Sequence, residues 1–154
     1  MSAVLRSNSG EDELRIELCA PEEYASDAGF EAHLSIRGTH WDGDHTFPFT
    51  ASVEGVWLRY ADLTALRDHV AQWTAQPLEH LDEATLTRDF ELARLPGQRL
   101  SIRFGPRDDV VTTLNPTVSV TFSAGALRGG FHFVTDQSCL KMFTDELSVD
   151  LPRL

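Results

Sequence analysis

The 154-residue chain is short of several things that would narrow its chemistry. It has two cysteines, a single lysine, and no apolar run near the roughly 20 residues a membrane-spanning helix needs. The opening MSAVLRSNSGEDE carries no long apolar stretch of the secretory kind. The sequence therefore reads as a cytoplasmic protein with no membrane association. Cys19 and Cys139 lie far apart, outside any CxxC or metal-ligand spacing, and each falls in an apolar-periodic segment. Such placement predicts two small buried hydrophobes rather than a disulfide or reactive thiol. Catalytic motifs are missing too. GALRGG (125–130) lacks the Lys-Ser/Thr of a phosphate-binding loop, and no GxGxxG leads from a strand into a helix. Ser123 in TFSAGA is not framed as GxSxG, and HExxH is absent. No nucleophile, base and orienting group converge. The chain reads as a non-enzyme without a cofactor.

What is present in excess is acid. Twenty-four Asp and Glu against thirteen Lys and Arg give a net charge of −11. Residues 11–31 hold eight acids and one base, Arg15. Such a surface repels phosphate backbones, which argues against nucleic acid as a partner. It steers a basic protein inward.

Strands dominate the pattern. Leu14, Ile16 and Leu18 alternate with Arg15 and Glu17, the period of a half-buried strand. PEEYASDAG (21–29) reads as a polar loop. Phe30, Ala32, Leu34 and Ile36 then alternate with charged and polar residues, as do Phe47, Phe49, Ala51 and Val53. Between these runs lies GTHWDGDH (38–45), which raises the question of a metal site. An Asp42-Gly43 hairpin turn would pair Trp41 with Asp44 and His40 with His45, and Ile36 with Phe49 below them. All the apolar residues of both strands then share one face. His40 and His45 become directly opposed, with Cβ atoms about 5 Å apart, and could hold a metal. Asp44 would point away, however, and Asp42 belongs to the turn. The pair remains the alternative, that of a metal-dependent enzyme, and the hairpin is the preferred reading.

In YADLTALRDHVAQW, Leu63, Leu66, Val70 and Trp73 form one helical stripe. His69 lies off it and is expected in solvent. The second half repeats the plan. Phe90 and Leu92 alternate, LPGQ turns with a bulge, and Leu100, Ile102 and Phe104 follow. Val118, Val120 and Phe122 then alternate, and Phe131 and Phe133 mark a last strand. A closing helix carries Cys139, Leu140, Phe143 and Leu147, with Thr135 as its expected N-cap. Trp57 follows Gly55, a bulge or bend, so its face is not fixed. The expected fold is α+β, an antiparallel sheet of about 7–8 strands in two meanders. Two helices, about 61–74 and 136–149, would pack on one face of it. The chain (1–154) reads as one domain, with 1–12 a weakly ordered or edge segment.

The order of ADLTALRDHVAQW, RDFELARLPGQRLSIRFG and GFHFVTDQSCLKMFTDEL resembles small bacterial families of the WapI type. These are domains of unknown function, several of them named after the immunity protein that guards cells against the wall-associated protein A toxin. The resemblance covers residues 28–150 and leaves out the first 27. It rests on a helix with Asp-Leu near its start, a Phe-Glu-Leu strand, and an aromatic strand running through Thr-Asp-Gln into the closing helix. It implies a non-enzymatic binder that occludes a toxin domain, and it carries over no site residue. The candidate partner-binding residues follow from expected exposure and charge: Trp41, Asp42, Asp44, Glu79, Asp82 and Glu83. The expected partner is a basic protein such as a toxin domain. An orphan regulatory or scaffold domain is the other binding alternative, and the oligomeric state is open.

Overall fold

The alternation in the sequence becomes alternation in burial. Leu14, Ile16 and Leu18 are buried, whereas Arg15 is half-buried and Glu17 exposed. The computed structural model describes residues 2–24, 27–75, 88–93, 98–105 and 116–151. The first half forms β1 (Ser2–Arg6), β2 (Glu13–Tyr24), β3 (Asp27–Asp42), β4 (His45–Arg59) and α1 (Tyr60–Ala75). The second forms β5 (Arg88–Ala93), β6 (Gln98–Gly105), β7 (Thr117–Ala124), β8 (Leu127–Val134) and α2 (Gln137–Asp150). Every strand pairing is antiparallel. The α+β class expected from the pattern is the one observed, with a refinement. The meanders are two separate four-stranded sheets, β1-β2-β3-β4 and β5-β6-β7-β8.

Geometry explains the division. Eight strands in one sheet would span about 38 Å, and two helices about 10 Å thick cannot cover that width. Two smaller sheets can instead bury their apolar faces in a shared interior. Leu14, Ile16, Leu34 and Leu58 of the first sheet, Leu100, Ile102, Phe104 and Val120 of the second, and Leu66, Trp73, Phe143 and Leu147 of the helices form one core cluster. Segment 2–6 is an edge strand whose Ala3, Val4 and Leu5 are buried. Its edge is covered by α2, where the Glu146 carboxylate accepts the Val4 N–H at 2.8 Å. Covering the edge in this way prevents further strand pairing.

Several local expectations change. The polar segment 21–29 is not a loop over most of its length. β2 and β3 continue through it as a hairpin, pairing Pro21 with Phe30 and Tyr24 with Asp27. Cys19 is exposed rather than buried, because it follows Leu18 on the outward phase of β2. Cys139 is half-buried at the start of α2, and burial pushes its thiol pKa up, helped by the Asp136 carboxylate. The N-cap of α2 is Asp136, not Thr135, and its carboxylate accepts the Cys139 N–H at 2.8 Å. Thr135 is instead fully buried and donates its hydroxyl to the Arg6 carbonyl at 2.6 Å. That bond ties the end of β1 to the start of α2.

Three register shifts interrupt the pairings of the described strands, the first of them on β2 between Leu18 and Pro21. On β4 an extra residue falls between the pairs Leu34–Val53 and Ala32–Val56, where Gly55 takes a φ of 68°. The bulge keeps Val53, Val56 and Leu58 on the inner face and turns Trp57 to the outer one, opposite Glu31. The Trp57 ring lies against Gly29, whose absent Cβ would sit 2.4 Å from the ring. On β5 the shift lies between Glu91 and Ala93, so Ala93 pairs with Leu100 and Glu91 with Ser101. The bulge thus falls at Leu92 within β5, while residues 94–97, where the turn with its bulge was expected, lie outside the described residues. The carboxylate of Glu91 still stays outside the core.

Candidate interaction surface

The hairpin that raised the metal question reverses about Gly43, as expected, but in a different register. Gly43, with a φ of 58°, and Asp44 form the turn, so Asp42 pairs with His45 and His40 with Phe47. Ile36 accordingly meets Ala51 rather than Phe49. The shift is by two residues, and the side-chain period of a strand is two, so the apolar faces survive it. The opposed pair His40–His45 does not. This corrects the geometry on which the metal alternative rested. Among the described residues no group of three His, Cys, Asp or Glu side chains is placed to hold an ion.

The length of this hairpin is its main structural feature. β2 pairs with β3 only as far as Glu13 opposite Arg37. Beyond that point β3 and β4 continue as two strands to the turn. All residues from 42 to 52 are exposed. A free two-stranded ribbon is marginal in water unless its base is fixed, and here the base is fixed three ways. The Asp12 carboxylate accepts the Thr39 N–H at 3.2 Å. Glu13 holds Arg37 at 3.0 Å and Arg15 at 3.4 Å. The Phe49 ring lies over Gly38, where a Cβ would come within 2.6 Å of it, and meets Phe131 of the second sheet edge-on at 6.2 Å.

On this arm the sequence reading placed Phe47 and Phe49 among the buried residues. They are 53% and 37% exposed. The inward phase was right, but no third strand and no second sheet covers that phase near the tip. His45 leans on Phe47 with ring centroids 6.4 Å apart. The expected partner-binding residues Asp42 and Asp44 are exposed at the turn beside them. Trp41 belongs to β3 opposite Thr46, and the side chains of Trp41 and His40 lie outside the described residues. Glu79, Asp82 and Glu83 also lie outside them. The arm therefore combines two aspartates and an exposed aromatic pair. The signal for it was available in the sequence: the apolar alternation of β2 begins only at Leu14, so residues past Ile36 have no apolar partner strand.

The other unexpected group is His69. It is buried, not solvated, because the stripe of α1 is wide enough to include the positions three after Leu66 and four before Trp73. The Trp73 indole N–H donates to His69 Nε2 at 3.1 Å, and the rings of Phe90 and Phe104 lie 5.1 and 5.7 Å away. Burial, reinforced by the Arg88 guanidinium, lowers its pKa from 6.5 to about 4. A neutral imidazole accepting at Nε2 suits that surrounding, and it makes His69 a core residue.

Comparison with known proteins gives a likeness of fold. No family model matches the chain, and no curated protein does. Among solved structures, the plant transcriptional regulator PBF-2 is similar with a TM-score of 0.53 and 10% sequence identity, over 100% of this chain and 81% of that one. No helix among the described residues is long and apolar enough to cross a membrane.

Proposed function

We propose that the chain is a non-enzymatic protein-binding module of the immunity type, which occludes a basic toxin domain in the cytoplasm and docks through the β3–β4 arm. The observation that carries this reading is the exposed run 42–52, with Asp42, Asp44 and Phe47 on a ribbon braced at its base. Interfaces concentrate their energy in a few aromatic anchors surrounded by polar residues, and Phe47 near the two turn aspartates has that composition. A net charge of −11 draws a basic partner and disfavours a phosphate backbone. The likeness to a transcriptional regulator bears on fold alone. Affinity capture from lysate of the source strain, at low and at high salt, tests the reading. The expected result is a basic protein with toxin activity that is retained at low salt, released by high salt and inhibited by the purified chain. A captured partner whose activity the chain leaves untouched would overturn it.

A further inference from the structure

Between the two sheets lies a cleft of about 290 Å³, partly open to solvent, which Phe49, Ala51 and Ser52 at the base of the arm help to line and to which the docking reading assigns no ligand. Apolar walls give water few partners. Its walls are apolar: Leu34 and Ile36 from the first sheet, Leu100, Phe122 and Phe131 from the second. Ile36, Phe122 and Phe131 are only partly buried, as residues facing an unfilled space would be. Two features on β8 give the cavity its chemistry. Gly129 pairs with Phe122 on the inner phase of the strand, and a Cβ built on it would meet nothing within 4 Å. The missing side chain thus leaves part of the space open. The neighbouring Arg128 is exposed, borders the cavity, and also borders the groove that carries Arg99. It is the one charged side chain among the described residues lining the cavity. In a chain of net charge −11, a lone cation beside an apolar chamber selects for an anion with an apolar body.

We propose that this chamber binds a medium-chain fatty acid, with the alkyl chain between the sheets and the carboxylate on Arg128. The volume suits a single short chain.

The test is calorimetric titration of the full chain with octanoate, and with octanol and octylamine, which carry the same chain with no charge and with the opposite charge. Octanoate is expected to saturate a single site and to bind roughly tenfold or more tightly than either control. Arg128→Gln, at an exposed position, is expected to remove that preference without altering the fold. Gly129→Leu fills the open space from a position of ordinary φ and is expected to abolish binding of all three ligands. Absence of saturable octanoate binding to the folded wild-type chain would overturn the proposal. So would equal affinity for octanoate and octanol, and so would binding that persists unchanged in both variants.

Discussion

His69 provides a test of the core in which the sign and the size both follow from the structure. Its folded-state pKa is about 4, against 6.5 for the ordinary imidazole. Because the folded value is the lower one, the unfolded chain takes up the proton first as pH falls. The contribution of the neutral imidazole to stability is therefore complete above about pH 6.5, is lost between 6.5 and about 4, and changes no further below that. The displacement corresponds to roughly 3 kcal/mol across that window. His69→Leu is the perturbation. At neutral pH it removes the acceptor of the Trp73 indole N–H, which costs about 1–3 kcal/mol. It also removes the proton-linked loss, so the variant overtakes or approaches the wild type on acidification. Urea unfolding followed by tryptophan fluorescence across this pH range measures both. Carboxylates titrate in both proteins, so the readout is the difference between the two curves. Parallel curves for wild type and variant would refute the assignment of His69 as a buried neutral acceptor.

Other predictions concern the braces and the junctions. Gly29→Ala places a Cβ 2.4 Å from the Trp57 ring and 2.7 Å from the Leu58 carbonyl, which is backbone and cannot move aside. A loss of about 1–3 kcal/mol is expected in chemical unfolding. Glu146→Ala removes the acceptor of the Val4 N–H, so amide exchange at Val4 should accelerate more than at Leu14 in the interior of β2. Asp136→Ala should cost about 1 kcal/mol through loss of the helix cap, and Asp136→Asn less than that. The wild-type Asp136 pKa is lowered first by the Ser138 hydroxyl and then by the Cys139 N–H, so its contribution fades as pH falls below the usual carboxylate range. Combined Asp42→Asn, Asp44→Asn and Phe47→Ser on the arm should change stability by no more than about 0.5 kcal/mol each, since these side chains are exposed.

The sequence disclosed strand phase far better than strand partnership. Alternation placed Leu34, Ile36, Leu100 and Ile102 on inner faces because every second residue of a strand shares a face whatever lies opposite. For the same reason it could not distinguish Asp42-Gly43 from Gly43-Asp44 as the turn. Both registers keep the apolar residues together, and they differ only in whether His40 meets His45. Nor does periodicity reveal what covers an inner face, which is why Phe47 and Phe49 read as core. The continuation of β2 through PEEYASDAG was hidden by its polar composition, since this hairpin end lies past the last apolar residues of the strand. His69 was missed because the stripe was drawn through aliphatic and aromatic residues alone. Its acceptor role depends on the indole one turn later. Trp57 needed the Gly55 bulge to be counted before its face could be known.

The central claim, that an arm-borne surface occludes a toxin, is tested most directly by rescue of growth. The basic toxin recovered by affinity capture is produced in cells together with either the wild-type chain or the combined Asp42→Asn, Asp44→Asn, Phe47→Ser variant, at matched soluble levels. Survival with the wild-type chain and death with the variant is the predicted result. Equal survival with both would remove the arm from the mechanism, and death with both would remove toxin neutralisation altogether.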